Sequence, residues 1–260
     1  MNVADEDPLY RIDDTRRCSA CHNGEHYYAT YVGPDYAEAR IKILFIALDA
    51  GADSESYDLL KRRDGILRWY QTHWNQHYRG CIWVASYLLG SLCLPQCSSR
   101  CSSRCEPEHG RKCVLRLIAQ GNAVKCVPAS ATGMYFNNRP RIPHCLPLMF
   151  EEIPILRPDV ILLQGRNDLH GPFFKNVEER GGKRETTKCD HVSVVTWPND
   201  AGRSVVVSLN HPSRGNLQRD WEPNNVPALD EARQRLHASP RERITVSTNY
   251  PWGGRARTLY

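Results

Sequence analysis

Two kinds of side chain in this sequence are of types that do chemistry, and their spacing says which chemistry. The first is cysteine, with eleven in 260 residues. Cys18 and Cys21 form CSAC, a C-x-x-C pair whose two thiolates can grip one metal centre from a single turn. A redox dithiol is the other use of that spacing, but it needs the pair to open a helix after a strand. Here the pair precedes the first apolar run. Cys93, Cys97, Cys101 and Cys105 then recur at four-residue steps, with His109 and Cys113 close behind. On a helix that step stacks the thiols on one face; on a loop, Arg100 and Arg104 become phosphate contacts. A second metal, zinc by donor type, suits this set, though its spacing matches no standard finger. The second kind is carboxylate. Asp49 and Asp53 flank Gly51 in LDAGAD, directly behind the apolar run that starts at Ile41. A carboxylate at the carboxyl end of a buried strand stands where open α/β sheets bind ligands. Capping the next helix is the plainer use of the same residue.

These groups need a scaffold. A hydrophobic fraction of 41% and a charged fraction of 24% are those of an ordinary globular protein. At 260 residues the chain can bury a full core. No apolar run reaches the roughly 20 residues that span a bilayer, so no membrane association is expected. The opening MNVADEDPLY is acidic and lacks an apolar h-region. A reducing cytoplasmic setting is expected, the bacterial cytoplasm or nucleoid, where metal ligation outranks disulfides. The net charge of +5 permits a polyanionic partner.

Along the chain, 1–17 reads as a flexible acidic lead. Residues 18–239 read as one domain with the cysteine-rich stretch 93–113 inserted, and 240–260 as a basic tail. Residues 41–48 read as a buried strand, 53–72 as loop then helix, and 74–94 as a helix whose second half is apolar. A second strand ends near Lys125, and 146–156 forms a short helix. Further strands follow at 159–165, 192–198 and 203–210, the last two joined by the tight turn PNDAG. A helix over 226–239 closes the core. Strands that alternate with helices predict a three-layer α/β/α fold around a mostly parallel sheet of four or five strands. In such a sheet Asp49, Asn122 and His211 lie at strand ends on one edge, where they can converge.

In their order, GNAVKC, RIPHC, LRPDVILLQG and VSLNHPS resemble motifs of the uracil-DNA glycosylase superfamily, in particular its iron–sulfur branches. ALDAGAD lies where that family has its first motif, and CSAC matches the first half of its cluster-binding set. The resemblance covers roughly 18–215. It implies that Cys18, Cys21, Cys126 and Cys145 hold a structural [4Fe–4S] cluster, with zinc on the same thiolates as the alternative. It implies that Asn122 hydrogen-bonds the edge of a flipped pyrimidine and that His211 stabilises the departing base. Asp49 would orient water. Lys125, Ser213 and Arg214 would contact DNA, with Arg214 or Leu217 wedging into the emptied stack. A monomer acting on DNA is expected.

The first motif departs from the family. Ala47 replaces a glycine and Ala50 a proline, and Tyr57 is the nearest aromatic that could stack on the base, beside Gly51. A changed pocket suggests a changed base. The expected activity is therefore hydrolysis of the N-glycosidic bond of a modified pyrimidine, for example glucosylated hydroxymethylcytosine in phage DNA, with antiviral defence as its outcome. Ordinary uracil repair and a non-catalytic iron–sulfur DNA-binding protein are the alternatives.

Overall fold

The computed structural model describes residues 12, 25–49, 58–72, 76–89, 114–128, 139–198, 202–211 and 222–238. The chain forms a short β1 (Glu25–Tyr27), β2 (Tyr31–Val32) and the long β3 (Ile43–Asp49). Helices α1 (Leu59–Thr72) and α2 (Gln76–Leu89) follow, then β4 (Ile118–Val124) and β5 (Cys126–Pro128). Next come α3 (Ile142–Leu156), β6 (Val160–Gln164), α4 (Arg166–Glu179), β7 (Lys183–Thr186), β8 (Val192–Thr196), β9 (Arg203–Leu209) and α5 (Glu222–Ala238).

Seven strands form one sheet in the order β2-β4-β3-β6-β9-β8-β7. The expected sheet of four or five mostly parallel strands is therefore too small and too uniform. Its parallel centre is β4-β3-β6-β9. β2 adds antiparallel outside β4, and β8 and β7 add antiparallel beyond β9. Chain connection explains the mixture. The link from β8 to β9 is too short for a crossover, so it must make a hairpin. Gly202 supplies the positive φ of 94° in that turn, and Trp197 N–H donates to its carbonyl at 2.9 Å. β7, KRET, is charged and exposed, as suits an outer edge that must not pair with another chain.

Alternate side chains of the parallel strands enter two apolar clusters. Leu44, Ile46, Ile161, Leu163 and Val206 pack with Leu146, Met149, Phe150 and Ile153 of α3 and with Phe173 of α4. Phe45, Leu162, Val207 and Leu209 pack with Ile66 of α1, Ile82 and Ala85 of α2, and Leu229 of α5. Each of these large side chains contributes about 1.5–3 kcal/mol on burial. Helix α3 approaches β4 closely because Gly121 has no side chain; a Cβ there would lie 2.4 Å from the Met149 sulfur. The helix also begins earlier than its sequence suggests, at Ile142, which brings Cys145 into its first turns. Its C-terminus is closed by Arg157 in the left-handed region, whose N–H donates to Ile153 O at 2.8 Å.

One buried ion pair locks this face. Lys125, just beyond β4, is fully buried, and its ammonium pairs with Glu152 of α3. It also donates to the Thr30 hydroxyl at 3.0 Å, and that hydroxyl donates to the other Glu152 oxygen. The phosphate contact expected of Lys125 is thus corrected: this lysine is a core residue. Its flanks read as the end of a strand, and nothing local announces a carboxylate on a helix 27 residues later. Removing one partner of a buried pair costs about 3–5 kcal/mol, whereas replacing both by apolar groups is close to neutral. Glu152→Ala should therefore lower the unfolding free energy by that amount in urea titration, and the double variant K125M/E152L should recover most of it. An E152A protein as stable as wild type would refute the pair.

Candidate functional site

The parallel strands put their carboxyl ends on one edge, and the register defines a row along it. Asn122 of β4 pairs with Ala47 of β3, Ala47 with Gln164 of β6, and Gln164 with Leu209 of β9. Side chains at one register position of a parallel sheet share a face. This row therefore lies on the face covered by α1, α2 and α5. Asp49 closes β3 opposite Val124. His211 follows β9 by two residues, and its approach is fixed by Asn225 of α5, whose side-chain oxygen accepts from Asn210 N–H at 3.1 Å. Asn122 and His211, two of the residues expected to converge, thus sit on one edge with the backbone of Asp49 between them.

They are not neighbours, since β4 and β9 are three strands apart, roughly 14 Å. Helix α2 bridges the gap. His77 in its first turn approaches Gln120 of β4, with 2.8 Å between His77 Nε2 and Gln120 Nε2. On its other side the His77 ring stacks on His211, with centroids 5.1 Å apart and planes inclined by 22°. One turn further on, Cys81 lies 3.7 Å from His77 Nε2, and Gln164 Nε2 donates to the Cys81 sulfur at 3.1 Å. A continuous polar chain therefore runs from Gln120 through His77 to His211, with a branch through Cys81 to Gln164. It lies beneath helices whose other buried residues are mostly apolar, with Arg62 of α1 and Asn225 of α5 the buried polar exceptions among the described residues. Gln164 is fully buried, and its Oε1 has no hydrogen-bond partner among the described residues.

The surroundings set the charge states. Burial, then His211, then the Arg62 guanidinium push His77 down to about 3. It is a neutral imidazole in the physiological range. With the Gln120 amide nitrogen facing it, Nε2 accepts and Nδ1 carries the proton. Burial pushes the Cys81 thiol up to about 12, against the opposing effect of the Gln164 hydrogen bond. Cys81 is thus an inert thiol and no nucleophile. The near-parallel rings of His77 and His211 also cannot aim their nitrogens at one ion. Across the sheet, His170 Nδ1 lies 2.7 Å from Ser208 Oγ. Arg184 approaches His170 Nε2 at 3.2 Å, and an arginine can only donate. The His170 proton is therefore on Nδ1, directed at Ser208, which leaves that pair unable to act as base and nucleophile.

The cysteines divide. Cys126 in β5 and Cys145 in α3 are both buried in the same apolar cluster. β1 begins four residues after Cys21 and pairs with β5, with Tyr27 opposite Cys126. The fold thus returns the chain that follows CSAC to Cys126. Cys126 is disulfide-bonded, whereas Cys145 is not in a disulfide. Among the described residues no group of three or more His, Cys, Asp or Glu forms a metal site. Cys18, Cys21, Cys93, Cys97, Cys101, Cys105 and Cys113 lie outside the described residues, as do Gly51, Tyr57, Ser213, Arg214 and the side chain of Asp49.

His77, Cys81, Gln120 and Gln164 are absent from the sequence-based expectation. Their signal is present in retrospect: His77 and Cys81 are four apart on one face of a helix, and two glutamines interrupt strands otherwise built of apolar residues. Because the folded-state pKa of His77 lies below its ordinary 6.5, the unfolded chain binds the proton first. The stability held in the neutral ring is complete above pH 6.5 and drains as the pH falls toward 3. It amounts to roughly 5 kcal/mol at most. Urea titrations from pH 7 to 4 should show this loss in wild type, and His77→Phe should flatten the slope; equal slopes would contradict the assignment. No protein-family model matches the chain, and no curated protein matches it significantly.

Proposed function

We propose that the chain is a monofunctional DNA glycosylase of the uracil-DNA glycosylase type, with a three-layer α/β/α fold, acting on a flipped modified pyrimidine. The observation that carries this reading is the shared edge: an asparagine amide on β4 and a histidine beyond β9, with an aspartate closing the strand between them. Those are the groups that N-glycosidic cleavage needs. The sugar gains oxocarbenium character while the base leaves as an anion. Asp49 would orient the attacking water and stabilise the cation. His211 would donate to the departing base, an interaction worth most where water is excluded. Asn122, with one donor and one acceptor on the same amide, would read the edge of the base. Extruding that base costs a few kcal/mol, least where it pairs poorly.

The residues for a [4Fe–4S] cluster would be Cys18, Cys21, Cys126 and Cys145, once the Cys126 disulfide is reduced. Supporting this are two buried cysteines in one cluster and a ribbon that ties the segment after Cys21 to Cys126. Bound there, the cluster supplies structural cross-linking. The cysteines of 93–113 are a separate candidate for zinc. A cytoplasmic monomer whose partner is DNA completes the proposal, with phage defence following if the base is foreign.

Two experiments test it. Duplexes carrying uracil, hydroxymethylcytosine or glucosylated hydroxymethylcytosine are incubated with the protein and scored for alkali-labile abasic sites. Release of a modified base is expected, and Asp49→Ala should lower the rate by at least about 10²-fold. Release of uracil alone would favour ordinary repair; release from no duplex would favour a DNA-binding protein without catalysis. An unchanged rate in D49A would remove Asp49 from the mechanism. Separately, protein purified without oxygen should be brown with broad visible absorption, and Cys145→Ser should bleach it. A colourless wild type that retains zinc would replace the cluster by that ion.

A further inference from the structure

We propose that His77 is a positioning residue, whose ring, pinned to Gln120, is the wall on which the His211 ring is stacked and which fixes the plane of its nitrogens. The inference rests on the base-release reading of this edge. His211 stands two residues beyond the end of β9, where the Asn225 side chain holds the backbone at Asn210. A partner stacked at 5.1 Å with an inclination of 22° restricts rotation of the His211 ring about its side-chain torsions. It occupies one face of the His211 ring and leaves the nitrogens, which lie in the ring plane, uncovered by the stack.

The wall is itself held rigidly. His77 belongs to the first turn of a 14-residue helix, its Nε2 meets Gln120 at 2.8 Å, and Cys81 one turn later adds a weaker sulfur contact at 3.7 Å. Gln120 belongs to the strand that also carries Asn122, two residues on. The group that would read the base and the group that would stabilise its departure are thereby referred to one strand, although the backbone places them on strands three apart. The ionisable groups set against His77 are Arg62 from α1, Cys81 from α2 and His211 beyond β9; Gln120 from β4 is neutral. Cys81 is a protonated thiol, and Arg62 and His211 both oppose protonation of His77. A neutral ring is what can lie against His211 in either of its charge states without repelling it.

The test uses the full chain. Long-range 1H–15N spectra of the histidine rings report the tautomer and order of His211 without any DNA. Wild type should show His211 in one fixed tautomer, H77A should show averaged nitrogen shifts, and H77F, which keeps a flat ring, should restore the fixed state. In base release, H77A should lose about 10²-fold in kcat, the scale of a group displaced by an ångström, with KM within about threefold. H77F should recover most of that loss. Q120L, which frees the wall without touching α2, should give a smaller loss of the same kind and serves as the second variant if H77A fails to fold. Wild-type kcat together with an unchanged His211 spectrum in H77A or Q120L would overturn the proposal. If no variant and no wild-type protein releases a base, the glycosylase reading fails, and the His211 spectra alone then decide whether His77 positions it.

Discussion

An imidazole that gives up its charge holds this edge together. His77 lies between the Gln120 amide and the His211 ring, with a guanidinium close enough to oppose protonation. Shielding a polar ring from water is costly unless its nitrogens are matched, and here a strand amide meets Nε2. The return is geometric. Helix α2 is tied to β4 through a hydrogen bond and to the exit of β9 through a stack, so three elements share one reference point. Had the same position carried leucine, the helix would pack equally well, and nothing would tell His211 where β4 lies.

The two faces of the sheet do different work. Beneath α3 and α4, close approach at Gly121 and the Lys125–Glu152 pair with Thr30 fix α3 against β4. That is also the face on which Cys126 and Cys145 are buried. Beneath α1, α2 and α5, the buried polar side chains of Gln120, Asn122 and Gln164 interrupt otherwise apolar inward residues. A rigid packed face and a polar row on the opposite one meet at β4, whose carboxyl end carries Asn122 on one side and leads to Lys125 and Cys126 on the other.

Much of the fold was legible where one physical signal dominates. ILFIALD and VILLQ are near-continuous apolar runs, and they form adjacent central parallel strands. His211 could be found because it directly follows another such run. What was not legible depends on partners distant in sequence. β8 is as apolar as a parallel strand, and only the short turn to β9 makes it antiparallel; β7 carries no apolar signal. Lys125 looks like a cation at a strand end until α3 brings Glu152 to it. His77 sits in the more polar half of its helix, and its role depends on residues 43 and 134 positions away, Gln120 and His211. Local pattern locates elements, whereas a buried polar group takes its meaning from whatever the fold sets against it.

The most direct measurement is a crystal structure of the D49N variant bound to a duplex that carries the cleavable base. The account predicts the base extruded from the helix, its edge on the Asn122 amide, and His211, still stacked on His77, within hydrogen-bonding distance of the base. A base left stacked in the duplex, or DNA seated on the opposite edge of the sheet, would contradict it.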